Sequence, residues 1–261
     1  MNFETLDIDT DSRGVVHVAL NRPDKRNALS AEMIAELTLM ARTLGASEDT
    51  RAVVLSGRGG VFCAGGDLAW MQAQIEADRD TRMAEARKLA EMLQALNEMP
   101  SPLIGRVHGG AFGGGVGMAC VCDVVVADAD TTFGLTETRL GLIPATIGPY
   151  VVARMGEGQA RRVFMSARAF SAQEAECLGI VSRVVQADEL DAAVDAEVAP
   201  YLKVAPGAVA AAKALARSLG PRIDDDVIDD TIRRLADTWE GEEAAHGIEC
   251  FLNRATARWA Q

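Results

Sequence analysis

No apolar run in the sequence reaches the roughly 18 to 20 residues that a membrane-crossing helix needs, so a helical span is excluded. The start of the chain, M-N-F-E-T-L-D-I-D, has neither the basic opening nor the apolar middle of a secretion signal, and a cytoplasmic location is expected. Positive charge is scarce: 26 Lys and Arg stand against 38 Asp and Glu, a net charge of −12. That argues against a protein that grips nucleic acid by neutralising phosphates with a basic face. Cysteine is sparse as well. Five residues (Cys63, Cys120, Cys122, Cys177, Cys250) make an odd count among mostly apolar neighbours, which points to buried free thiols and away from a disulfide framework. Cys120 and Cys122 form only C-x-C, with no second pair at metal spacing, so no metal site is expected. No serine stands in a G-x-S-x-G elbow, which disfavours chemistry through an acyl-enzyme.

What is present is a soluble, globular composition of 261 residues, 49% hydrophobic and 25% charged, enough for one large domain with a substantial core. Residues 3–9 and 14–20 alternate like two paired strands around Asp11-Ser12-Arg13-Gly14. Ser30 is placed to cap a helix carrying Met33, Ile34, Leu37, Met40 and Leu44 on one face. A short strand at Ala52–Ser56, a long amphipathic helix from Asp78 to Met99, and the strands L-I-G-R-V and D-V-V-V-A follow. Strand and helix recur at intervals of a few tens of residues, which predicts an α/β spiral of repeated ββα units. Beyond Pro144 the pattern turns helical: residues 148–155 and 157–165 read as helices, S-A-Q-E at 171–174 as a capping box, and the final helix runs from about Glu242 to Trp259. The expected division is a catalytic core over residues 1–195 and a helical region over 196–261.

The chemistry concentrates between Gly109 and Pro144, where G-G-A-F-G-G-G-V-G-M opens an apolar helix and Glu137 stands before L-G-L-I-P. Glycines expose backbone N–H groups, and two such donors brought together, from Gly66 and Gly114, would hold a carbonyl oxygen as it gains negative charge. Enolate chemistry then needs a group to move a proton, and Glu137 is placed either for that or as a helix-start carboxylate. The loop N-R-P-D-K-R carries Arg22, Lys25 and Arg26, three cations in five residues that suit phosphates or plain solvent. Gly65 and Gly66 precede Asp67, a candidate helix cap. His108, His17 and His246 read as structural, and Asp123 as a carboxylate bonded to local backbone.

Taken together, N-R-P-D-K-R-N-A-L-S, F-C-A-G-G-D-L, the G-G-A-F-G-G-G block with M-A-C-V-C-D, F-G-L-T-E-T-R-L-G-L-I-P, the S-A-Q-E-A-E-C-L-G-I-V segment and the closing F-L-N-R resemble the crotonase, or enoyl-CoA hydratase/isomerase, superfamily over nearly the whole chain. The resemblance implies a crotonase-like ββα-spiral core and a C-terminal helical region that builds trimers, or dimers of trimers. It implies a coenzyme A thioester as substrate, its carbonyl oxygen between the amides of Gly66 and Gly114, with Glu137 as the proton-transferring carboxylate. Coenzyme A belongs to the substrate, so no separate cofactor is expected. The resemblance places Arg22, Lys25 and Arg26 near the nucleotide phosphates; the segment of Ala64, Gly65, Asp67 and Leu68, with Gly117, is expected around the substrate, and Trp70 and Tyr150 are candidate pocket walls or core. Phe251 and Arg254 would reach the coenzyme, commonly from an adjoining subunit. One departure stands out. Family hydratases of the best-known kind carry a second glutamate where this chain has Gly117. The stretch G-L-T-E-T-R-L-G-L-I looks like the Δ3-to-Δ2 enoyl-CoA isomerases, whereas G-G-G-V-G-M with E-T-R-L-G-L-I-P-A-T-I-G-P-Y-V-V is similar to hydratases of branched, carboxylated enoyl thioesters such as 3-methylglutaconyl-CoA. The hydratase reading is preferred. The isomerase and a thioester binder without chemistry are the alternatives.

Overall fold

The computed structural model describes residues 3–261. Strands β1 (Leu6–Thr10) and β2 (Val15–Leu20) pair antiparallel, Leu6 opposite Leu20, across a turn in which the Asp11 carboxylate accepts from the amides of Arg13 at 2.8 Å and Val15 at 3.1 Å. Helix α1 (Ala31–Arg42) starts where Ser30 accepts from the Met33 amide at 3.2 Å and buries Met33, Ile34, Leu37 and Met40. Then come β3 (Ala52–Gly57), α2 (Leu68–Glu76), α3 (Arg79–Glu98), β4 (Leu103–Val107), β5 (Gly110–Phe112), α4 (Gly114–Val121), β6 (Val124–Asp128) and β7 (Thr132–Gly134). The remainder is α5 (Gly148–Met155), α6 (Glu157–Phe164), β8 (Ala169–Ser171), α7 (Ala172–Cys177), β9 (Arg183–Val185), α8 (Leu190–Val198), α9 (Pro206–Ser218), α10 (Asp225–Trp239) and α11 (Glu242–Leu252).

Six strands form one sheet in the order β1-β2-β3-β4-β6-β9, parallel apart from β1. A second, small sheet runs β5-β7-β8. Each turn of the chain thus adds one strand to the large sheet and a short extended piece beside the small one, which is the ββα spiral expected from the sequence. The small sheet continues past β5 through a parallel bridge between Cys63 and Ala111, and Leu29 bridges Gly66 in the same way. Segments far apart in sequence are therefore held side by side in a fixed order. That row positions the functional site.

Phe133 on β7 is fully buried and stacks on Phe170 of β8 with ring centroids 5.9 Å apart. The helical region packs back on the core, with Ile228 and Ile232 of α10 buried against Ala86 and Ala90 of α3. Asp123 is structural, but its partners are not local: it accepts from the Leu103 amide at the start of β4 at 2.7 Å and pairs with Lys213 of α9 at 2.7 Å.

Two local expectations differ. The capping box at 171–174 is half formed: the Ser171 hydroxyl accepts from the Glu174 amide at 3.2 Å, but the Glu174 carboxylate turns to Arg168 at 2.6 and 2.8 Å. A charge-assisted pair outcompetes a bond to a backbone N–H. The last helix stops at Leu252, and Arg254 takes a left-handed φ of 53°, so the helix does not continue to Trp259. Phe133→Ala should lose about 3–5 kcal/mol of unfolding free energy through the cavity it leaves. Urea denaturation measures it, and a loss under about 1 kcal/mol would show that the small sheet is not anchored by this ring.

Candidate functional site

Two glycine loops meet at the end of the small sheet. The Cys63 amide donates to the Gly110 carbonyl at 3.1 Å and the Phe112 amide to the Cys63 carbonyl at 3.0 Å, which fixes the loop after β3 against the entry to α4. The contact is too close for side chains: a Cβ on Gly65 would lie 3.1 Å from the Phe112 carbonyl oxygen and 4.0 Å from the Gly113 Cα. On the other flank Leu29 brackets Gly66, its amide donating to the Gly65 carbonyl at 2.8 Å and its carbonyl accepting from the Asp67 amide at 3.0 Å. Among the described residues, neither the Gly66 nor the Gly114 N–H has an acceptor. Two unused donors therefore stand on adjoining backbones, one at the positive end of α4.

Glu137 enters from the third segment, opening a short turn of 3-10 helix (Glu137–Leu140) three residues beyond β7. Its Oε1 would be 3.0 Å from a Cβ on Gly113, whose φ of 47° also favours glycine, so the carboxylate rests against the glycine backbone. Its Oε2 is buried and has no hydrogen-bond partner. Burial raises the carboxyl from 4.5 to about 7, partly offset by the amides of Glu137 and Thr136. A carboxyl that titrates near neutrality can both give and take a proton.

Of the basic loop, only part is free. The Arg22 guanidinium pairs with Asp67 at 2.8 Å and donates to the Ala28 carbonyl at 2.6 Å. This corrects the expectation that Arg22 serves phosphates: its charge is already taken by a buried carboxylate. Asp67 in turn caps α2, accepting from the amides of Ala69 at 2.8 Å and Trp70 at 3.3 Å. Burial acts to raise the Asp67 carboxyl, and Arg22 with these amides outweighs it, leaving the group below its ordinary value. Lys25 and Arg26 are exposed, and the Arg26 carbonyl accepts from the Ala64 amide at 3.0 Å, so the basic loop lies beside the first glycine loop. Leu68 is exposed, and half-buried Trp70 donates its indole N–H to Glu85 at 3.4 Å. Phe251 is exposed at the end of α11, and Arg254 lies just past it.

Two further expectations are corrected. Gly117 does not present open space to a substrate: a Cβ there would lie 2.5 Å from Ile147 Cγ2 and 3.6 Å from Leu93 Cδ2, within the core. Tyr150 does not wall the space at Glu137. It lines a separate cavity with Cys120 and Cys122 at the other end of α4. Sequence reasoning also missed three residues. Asn27, fully buried with φ 53°, donates to the carbonyls of Arg58 at 2.8 Å and Val61 at 2.9 Å and accepts from the Arg22 amide at 2.9 Å. An asparagine beside a turn is the signal, because it tolerates the left-handed region. Leu29 and Ile147 carry no such signal, being ordinary apolar residues whose roles come from what they touch. His108 contacts the Gly59 carbonyl at 2.8 Å through Nε2.

Two free amides beside a buried carboxylate define a class, a site that stabilises a carbonyl-derived anion while moving a proton. The model of the enoyl-CoA hydratase/isomerase family matches residues 10–261. An enoyl-CoA hydratase from Alternaria alternata is 32% identical over 252 residues, covering 95% of this chain and 82% of that protein. The crystal structure of an enoyl-CoA hydratase from Shewanella pealeana is 35% identical, covers 98% of this chain and 96% of its own, and superposes with a TM-score of 0.81. The mitochondrial Delta(3,5)-Delta(2,4)-dienoyl-CoA isomerase of Mus musculus is 33% identical over 198 residues, covering 71% of this chain and 60% of that protein. The chain belongs to the enoyl-CoA hydratase/isomerase family, within the crotonase superfamily.

Because folding raises the Glu137 carboxyl, the folded state holds that proton more tightly than the unfolded chain does. The resulting stabilisation is complete below about 4.5 and is lost as pH rises through about 7. Glu137→Gln should therefore be more stable than wild type at pH 8 and lose that advantage at pH 4. Urea unfolding at both values measures the difference; parallel pH profiles for the two proteins would contradict it.

Proposed function

We propose that the chain hydrates the 2,3 double bond of an enoyl-CoA thioester, with the thioester oxygen between the N–H groups of Gly66 and Gly114 and Glu137 moving the proton. The observation that carries this reading is the buried, unpartnered Oε2 of Glu137, on a carboxyl raised to about 7 and resting against the Gly113 backbone. Water oxygen bonds to C3, and the double-bond electrons move toward the carbonyl, where the two amides hold the charge. Protonated Glu137 gives its proton to C2 and recovers one from the added water, so the group ends as it began. Lys25 and Arg26, exposed beside the glycine loop, meet the coenzyme phosphates, joined by Phe251 and Arg254 of a neighbouring subunit in a trimer or dimer of trimers.

For the acyl group we assign a branched, carboxylated chain of the 3-methylglutaconyl kind. Support comes from the E-T-R-L-G-L-I-P-A-T-I-G-P-Y-V-V stretch; Arg139, two residues past Glu137, is exposed, as an outward structural arginine would be. One observation favours a second reading, Δ3-to-Δ2 isomerisation with Glu137 as sole acid and base: Ile147 fills the place of a side chain at 117, so no second carboxylate stands there.

Product analysis in heavy-oxygen water separates the two. The 2-enoyl, 3-enoyl and 3-methylglutaconyl thioesters are supplied in parallel, and label is expected in the product, with the last the fastest. Double-bond migration without label would favour the isomerase. Glu137→Gln should slow turnover at least about a hundredfold while leaving thioester binding nearly unchanged; near-wild-type turnover would remove Glu137 from the mechanism. Gly117→Glu alone should fold poorly, since its Cβ would lie 2.5 Å from Ile147. Combined with Ile147→Gly it should raise crotonyl-CoA hydration about tenfold or more, and an unchanged rate would show that one carboxylate suffices.

A further inference from the structure

Leu29 touches both of the loops that supply the free amides. Three segments lie side by side in the order 26–29, 63–67 and 110–114: the Ala64 amide donates to the Arg26 carbonyl at 3.0 Å on one side, and Cys63 bonds Gly110 and Phe112 on the other. Leu29 is 2% exposed, whereas Gly66 is exposed and Gly114 half-buried. It stands behind the donors, shut off from solvent.

The Leu29 backbone sets the direction of one donor. The Gly65 carbonyl and the Gly66 N–H share one trans peptide plane and point opposite ways. Because the Leu29 amide donates to that carbonyl at 2.8 Å, the Gly66 N–H is aimed away from Leu29, toward the side on which α4 begins. The Leu29 carbonyl accepts from the Asp67 amide at 3.0 Å and so fixes the other end of the same residue. Packing supplies none of this at Gly66, where a Cβ would meet nothing closer than Met71 Cγ at 3.8 Å.

The Leu29 side chain holds the second donor. A Cβ on Gly114 would lie 2.5 Å from Leu29 Cδ1 and 3.8 Å from its Cγ, so the isobutyl group rests on the Gly114 backbone. The Gly113 carbonyl accepts from the Gly117 amide at 3.1 Å within α4, and the same peptide geometry turns the Gly114 N–H outward from the start of the helix. Next to it Gly115 is pressed against Cys63, where a Cβ would lie 2.7 Å from the carbonyl oxygen. The first turn of α4 is thus gripped at two residues, and Leu29 is the contact common to both donors.

We propose that Leu29 is the positioning residue of this site, setting the separation at which the Gly66 and Gly114 amides meet one oxygen. This rests on the reading above that the two amides hold the thioester oxygen. Such a pair stabilises charge only where both N–H groups come within about 2.7–3.1 Å of the same point. Shortening Leu29 leaves its backbone bonds, and with them the aim of Gly66, in place. It frees Gly114 to drift.

Acetoacetyl-CoA, a 3-oxoacyl thioester, reports on the pair directly: loss of a C2 proton to the buffer gives an enolate with its own ultraviolet absorbance, and converging amides raise the bound enolate fraction. Wild type should show that rise. Leu29→Ala should cut the enolate-to-keto ratio at least about fivefold and kcat at least about tenfold, less than the loss of a donor outright, with KM within about twofold. Leu29→Val, a smaller cut that folds if Leu29→Ala does not, should lower the ratio at least about twofold. Leu29→Met keeps the reach of the side chain and should retain at least about half of the wild-type ratio and kcat. Leu37→Ala, a truncation of a fully buried residue on α1, controls for lost packing and should keep the wild-type ratio when measured below its melting temperature. Absence of the enolate signal in wild type would remove the two-amide reading and this role with it. A wild-type signal with an unchanged ratio in the shortened Leu29 variants, or an equal loss in Leu37→Ala, would overturn the role of Leu29 alone.

Discussion

Burying the Glu137 carboxylate works against folding, because Oε2 gives up its hydration and receives no hydrogen bond in return. The group can stay there only if its surroundings are fixed by stronger terms elsewhere. Those terms are visible: the strand row from Cys63 through Ala111 and Phe133 to Phe170 is wholly buried, and it aligns the glycine backbones against which Glu137 rests. The small sheet contributes little hydrogen bonding for its size, with strands of three residues each, so its rigidity comes from packing. The raised carboxyl is a consequence of that packing. A looser row would let water reach the group and return it toward its ordinary value.

The same constraint explains why the basic loop divides its work. Gly66 is exposed, and an amide on an exposed glycine holds its direction only if both neighbours are tied down. Leu29 ties Gly65 and Asp67 through backbone bonds, and Arg22 ties Asp67 again through its carboxylate. Asn27 secures the loop that carries Arg22 to the segment at 58–61. One cation of the three is therefore structural, and the other two have no ion-pair partner among the described residues, although all three look alike in the sequence.

What was legible in the sequence was what is decided locally. The caps at Ser30 and Asp67 depend on residues two or three positions away, and both form as expected. The strand and helix alternation that gives the spiral is likewise carried by short-range periodicity, and the order of the glycine and glutamate segments was readable through the family resemblance. Other features depend on distant partners and left no local trace. Ile147 over Gly117 and Asp67 against Arg22 each join residues that nothing in the intervening chain marks as neighbours. The half-formed capping box at Ser171 fails for the related reason that Arg168, three residues upstream, competes for Glu174.

Gly117 and Ile147 are best understood together. Read alone, glycine at 117 is a lost carboxylate. In the fold it is a glycine because a β-branched side chain from thirty residues later occupies the space into which any side chain would project. Ile147 is 2% exposed and belongs to the main core, so the exchange places apolar volume where a second charge would otherwise have to be kept hydrated or paired. With no like charge introduced at that position, the carboxyl of Glu137 is shifted by desolvation first and only moderated by neighbouring amides. A group at about 7 is divided between its acid and base forms at neutral pH, which is the condition a single carboxylate must meet if it alone is to deliver one proton and collect another. The missing residue and the shifted one are therefore parts of one arrangement.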